Sequence, residues 1–210
     1  MDSSASLAPS ITWVERYRMV LKNKKFMVTS LGFGFESMAR YGLIFWVPVH
    51  YLGNNWKDNP GNLWVTFLLP VGMAAGALTF GMLSDSLFKK DRIKAIAFGM
   101  LASAVIAILI YISPAHNLWL GGGLMLLAGF FVYGPQACFW PLSPDLLGSN
   151  LTGTGIGFMN MIGYLFAAFG EPLLGYAIDV TGSSNSIFIV IAVLCILSCL
   201  SVWTVRSMKG

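Results

Sequence analysis

Charge is the scarce ingredient of this 210-residue chain. Only 10% of its residues are Asp, Glu, Lys or Arg, where a soluble domain carries about 25%. That scarcity excludes a soluble globular domain and a disordered tail, and it leaves no charged surface on which nucleic acid could be bound. Cysteine is scarce too. The three present, Cys138, Cys195 and Cys199, lie inside apolar runs, so neither a disulfide framework nor a metal cluster is implied and they read as small core residues. With two histidines, His50 and His116, and no Ser/His/Asp set or paired carboxylates, the chain offers no enzyme chemistry and calls for no cofactor. His50 is expected to be a solvated interfacial residue.

What the chain has in quantity is apolar sequence: 56% hydrophobic residues, 23 glycines and a mean hydropathy of +0.71. A spanning helix needs about 20 mostly apolar residues, and this content suffices for six. The runs fall at about 26–52, 62–83, 93–113, 117–140, 151–178 and 186–205, with Pro141–Asn150 among the separators. The fold class expected is therefore an all-α membrane protein of six transmembrane helices. Residues 1–25 form a leader, 26–206 the bundle and 207–210 a tail. In the leader, Ile11, Val14, Tyr17 and Leu21 recur at near-helical spacing, which fits either a short interfacial helix or a flexible leader. The first apolar run is too long and starts too late for a cleavable signal.

The basic residues set the orientation. Five precede the first run (Arg16, Arg18, Lys22, Lys24, Lys25), four lie between the second and third (Lys89, Lys90, Arg92, Lys94), and two follow the sixth (Arg206, Lys209). Only Lys57 and Arg40 lie elsewhere. The positive-inside rule puts both termini in the cytoplasm. Trp56, Trp64, Trp119, Trp140 and Trp203 sit near run ends, as interfacial anchors do. Gly72-x-x-x-Gly76 and Gly153-x-x-x-Gly157 fit the small-residue pattern of close helix contacts.

Three ionisable residues lie within the runs. Glu36 and Arg40 are i, i+4 and share a helix face. A charge at that depth costs on the order of 3 kcal/mol, which makes it a functional candidate by default. The pair is either self-neutralising or a site where Arg40 offers a forked cation to an anionic substrate, with Glu36 balancing the charge. Glu171, followed by Pro172, is either a cavity-facing residue that reaches water or a protonatable coupling group.

The stretch Gly81-Met-Leu-Ser-Asp85-Ser-Leu-Phe-Lys89-Lys90-Asp91-Arg92-Ile93 resembles the cytoplasmic loop signature of the major facilitator superfamily. In it a glycine would let helices approach, and Asp85 would pair with basic residues or a helix N-terminus to latch one conformer. Nearly all of the chain is similar to the C-terminal six-helix half of one branch, the organophosphate:phosphate antiporters. The carriers of that likeness are Ala39-Arg40-Tyr41-Gly42 with Trp46 and Pro48, Phe131-Val132-Tyr133-Gly134-Pro135, Gly153-Thr154-Gly155, Gly163-Tyr164-Leu165 and Gly175-Tyr176-Ala177-Ile178-Asp179. Glu36, Glu171 and Phe139-Trp140-Pro141 depart from the family pattern.

The resemblance implies half of a major facilitator fold in a bacterial inner membrane. Arg40 would match one of the two arginines that grip the substrate phosphate. Tyr133 and Tyr164 would face the same cavity, with ordinary ring packing as their alternative. The implied activity is alternating-access transport of a phosphorylated or other small organic anion, coupled to phosphate or a proton. The implied partners are the lipid bilayer and either a complementary N-terminal half or a second copy. A ligand-binding membrane sensor and an inactive remnant are the rival readings.

Overall fold

Each helix in the computed structural model begins and ends where the sequence supplies a cap or a breaker. The structure describes residues 12–53, 62–88, 91–114 and 117–208. Helix α1 spans Trp13–Lys22. It opens with a capping box: the Thr12 hydroxyl accepts from the Glu15 N–H, and the Glu15 carboxylate accepts from the Thr12 N–H at 2.9 Å. The amphipathic stretch of the leader is thus helical, although Ile11 lies outside the described residues. Asn23 ends α1 in an extended conformation and caps α2, Lys24–Leu52, through the Phe26 N–H.

Then follow α3 (Trp64–Ser86), α4 (Arg92–Ile112, capped by Asp91), α5 (Leu118–Tyr133, capped by Asn117), α6 (Gln136–Leu147), α7 (Thr152–Thr181) and α8 (Ser186–Ser207). A single 3-10 turn, Ser149–Leu151, leads into α7. Gly182 closes α7 at φ 66, the left-handed end that glycine adopts without strain.

Six segments cross. Five are long and apolar enough on their own: α3, α4, α5 with α6, the turn with α7, and α8. The sixth, α2, has 29 residues but is diluted by Glu36, Arg40 and several hydroxyls. It tolerates them because it is the sheathed helix, packed along both α7 and α8 and touched by α6. Around the bundle the neighbours run α7, α2, α8, α4, α5, α3, and α6 touches α2, α3, α4 and α7. The described residues thus form an all-α bundle built for a membrane.

The fourth run departs from expectation. It was expected to end near Trp140, with Pro141–Asn150 as a loop. Instead the helix breaks at Gly134-Pro135 and resumes as far as Leu147, with Pro141 and Pro144 inside it. Proline keeps helical φ but lacks the donor and crowds the carbonyl four residues back, and neighbouring helices make such losses tolerable within a membrane. Gly134 and Pro135 are held by packing, since Phe80 lies against Gly134 and Gly99 against Pro135.

The two glycine pairs behave differently. Gly72, Gly76 and Gly129 bring the backbones of α3 and α5 together, so that a side chain at Gly72 would collide with the Leu126 carbonyl and one at Gly76 with that of Phe130. Gly153 and Gly157 face open space: among the described residues nothing lies within reach of a side chain added at either position. The cysteines are buried and unpaired with one another, as expected.

Candidate functional site

Four helices meet around a cavity of about 290 Å³ halfway along α2. From α2 come Phe33, Ser37, Arg40 and Tyr41, spaced so that they share one face. The break between α5 and α6 supplies Tyr133, Gln136 and Trp140, and α7 supplies Asn160, Gly163 and Tyr164. Irregular backbone at this depth survives only where it is buried in protein or lines a cavity. The Gly134-Pro135 break does the latter, turning Tyr133 and Gln136 toward the same space.

Arg40 is the cation of this cavity. Its Nε lies 3.3 Å from Glu36 Oε1, an ion pair without hydrogen-bond alignment. Its guanidinium carbon sits 4.4 Å from the Tyr41 ring centre and 5.4 Å from that of Tyr133. Ring faces attract a cation by about 0.5–2 kcal/mol and orient the planar fork. Glu36 is fully buried, and its Oε2 accepts from the Ser37 hydroxyl at 3.3 Å. It stands behind Arg40 and does not line the cavity. The cationic end of the pair is therefore the end that faces the cavity. The sequence-predicted Arg40, Tyr133 and Tyr164 are brought together here.

Glu171 occupies a second cavity, about 270 Å³, with Tyr41, Phe45, Tyr164, Ala167 and Ala168. Its Oε2 accepts from the Trp46 indole N–H at 3.0 Å, and its Oε1 has no partner. Tyr41 and Tyr164 are common to both cavities, and their ring centres lie 6.2 Å apart.

Sequence reading missed Gln136, Asn160, Ser37 and Trp140. The signal for the amides was there, since each is an uncharged polar residue in an apolar run, and Gln136 Oε1 is buried without a partner. Trp140, expected as an interfacial anchor, instead packs at a tilt against Phe33, ring centres 5.2 Å apart, and lines the cavity. Its helix continues past it, so it stands mid-span. His50, expected in solvent, is buried: its Nδ1 lies 3.0 Å from Ser184 Oγ, and its ring sits edge-on to Tyr51 and Phe188. Helix α8 covers it.

The residues of the loop signature are spread along one end of the bundle. Gly81 has open space around it, so it mediates no close approach among the described residues. Lys89 and Lys90 lie outside the described residues. Arg92 Nε donates to Asp145 Oδ2 at 2.7 Å, joining α4 to the end of α6. Asp91 pairs with Lys94 at 3.1 Å and with Arg206 of α8 at 3.6 Å. Asp85 enters none of these pairs among the described residues. Asp91 and Asp145 carry the contacts expected of it, because they stand at the helix ends where the cations emerge.

Comparison with known proteins agrees with this architecture. The chain is 28% identical over 184 residues to the glycerol-3-phosphate transporter of Bacillus subtilis (strain 168), covering 87% of this chain and 41% of that protein. It is 29% identical over 185 residues to the phosphoglycerate transporter protein of Salmonella typhimurium, covering 86% and 39%. To the hexuronate transporter of Bacillus subtilis (strain 168) it is 25% identical over 193 residues, covering 87% and 44%. The chain thus spans about two-fifths of the length of these relatives. Residues 3–171 match the family described as the Major Facilitator Superfamily, and with a helical bundle of the matching kind around them, the chain belongs to that family.

Proposed function

We propose that this chain is one six-helix half of a secondary active transporter that moves a small organic anion, foremost a phosphate ester, by alternating access. The observation that carries the reading is Arg40: a buried guanidinium, presented by two aromatic rings to a mid-membrane cavity and backed by a carboxylate that keeps the empty site near neutrality. A guanidinium fork matches two oxygens of a phosphate or carboxylate at once. Tyr133, Tyr164, Gln136 and Asn160 supply hydroxyl and amide groups for the rest of an oxygen-rich ligand. Relatives named for glycerol-3-phosphate, phosphoglycerate and hexuronate share that chemistry of an anionic group on a hydroxylated carbon frame.

Glu36 is the charge-balancing residue and Glu171 the coupling group, taking up a proton where exchange for phosphate is not used. In such carriers substrate lies between two bundles near the midplane. The α7 face bearing Tyr164 then docks against the complementary half or a second copy. The basic residues put both termini in the cytoplasm of a bacterial inner membrane. The work is transport, not catalysis.

The test is counterflow of phosphate and sugar phosphates in vesicles containing this chain, alone and with a six-span partner half. Arg40→Ala should lower anion-dependent uptake by at least about 30-fold, the loss expected when one partner of a buried charge pair is removed, while insertion persists. Unchanged uptake overturns the reading. Saturable binding without counterflow assigns the chain to a sensor instead.

A further inference from the structure

Helix α1 takes no part in the transport reading, yet it has the most strongly segregated surface in the chain. At about 100° per residue, Trp13, Tyr17, Leu21 and Val14 fall within a single arc of α1, and all four are exposed, Trp13 at 74%. Val20, at the edge of that arc, is fully buried and docks the helix on the bundle. Arg18 and Lys22 stand on the other side with Glu15, whose carboxylate is engaged in capping the helix. Within residues 12–25, Arg16, Lys24 and Lys25 bring the cations to five against one carboxylate.

The helix is also fixed in place. The Asn23 amide donates to the Leu146 carbonyl at the end of α6 at 2.9 Å while its oxygen caps α2, and α1 packs against α2 and α7. An exposed apolar arc with cations beside it is thereby held where the spans leave the bilayer.

We propose that α1 is a membrane-surface helix: its Trp13–Tyr17–Leu21 face seats in the headgroup region of the adjoining leaflet, and its cations gather anionic lipid headgroups. The occupant is lipid because the arc combines apolar rings with an unbalanced positive margin at the membrane edge, the pattern of interfacial helices on anionic leaflets. A protein-facing arc would need acids opposite that margin. The inference rests on the chain being a membrane protein and not on Arg40 or transport.

The test uses the full chain carrying Tyr17→Cys or Lys22→Cys, labelled with an environment-sensitive fluorophore; Cys138, Cys195 and Cys199 are buried and label poorly. The chain is reconstituted in vesicles of phosphatidylcholine containing phosphatidylglycerol. At position 17 the label should be quenched by spin-labelled lipid and shielded several-fold from aqueous acrylamide relative to position 22. Raising salt to 1 M should reduce the shielding. Arg18→Gln and Lys24→Gln should each shift the seated fraction by roughly fivefold.

Equal acrylamide access at positions 17 and 22 overturns the proposal. So does shielding that is the same in pure phosphatidylcholine and indifferent to salt, or that grows with the ratio of protein to lipid, which would make the occupant a protein. Val14→Asp keeps the fold test separate: it should unseat the label while the spectrum of the bundle's helices is retained.

Discussion

Arg40 and Glu36 depend on each other, so the residue scale is where the site is most easily broken. Removing the carboxylate alone leaves a cation at the edge of the bundle interior without its counter-charge, a loss of about 3 kcal/mol or more for a buried pair. Glu36→Gln should therefore lower the thermal midpoint of the purified chain in detergent. Glu36→Gln with Arg40→Met should recover most of that loss, whereas an unrecovered double variant would show that the pair is not the source. Ser184→Ala should cost about 1–3 kcal/mol, by orphaning the buried His50 nitrogen. Arg40 was legible in the sequence because a lone cation in an apolar run is conspicuous. Gln136 and Asn160 were not, because amides carry no formal charge and their placement depends on the break at Gly134-Pro135. His50 was misread because its partner Ser184 comes from 134 positions away.

Among the elements, the two glycine pairs make opposite forecasts. Gly72→Ala forces a methyl group against the Leu126 carbonyl, which cannot yield without moving α5; overpacking of this sort costs about 1–3 kcal/mol. Gly157→Ala meets open space and should gain up to about 1 kcal/mol from helix propensity. Thermal unfolding of the two variants checks both signs. At α1, the Thr12 N–H and hydroxyl hold the Glu15 carboxyl below its ordinary value. Its contribution is thus full at neutral pH and fades only as pH falls through that lowered value. Amide exchange in α1 should quicken there, and a Glu15→Gln chain should lack the transition. Helix positions were legible to within a few residues because hydropathy marks them directly. The extent of the fourth span was not, because proline usually marks an end and here sits inside a helix whose neighbours cover it. The pattern Gly153-x-x-x-Gly157 was legible as a contact surface, but not as one unoccupied among the described residues, since glycine spacing does not say what lies opposite.

For the whole molecule, α7 is an outer helix whose Met161, Tyr164, Phe169 and Tyr176 are exposed, Phe169 at 75%. A cysteine at Met161 should cross-link to a complementary half or a second copy in membranes, and cross-linking only to lipid probes would remove the docking role from the proposal. The order of the helices in the chain has a further effect, on synthesis. The polar helix α2 precedes α7 and α8, which sheathe it. About 130 residues separate the end of α2 from the end of α7, and at ribosomal rates of about 5–20 residues per second that is a delay on the order of ten seconds. Through that interval Glu36 and Arg40 lack the cover that α7 and α8 give α2 in the finished bundle. Insertion of α2 should therefore depend on help from the cell's membrane-protein insertion machinery until α7 and α8 emerge.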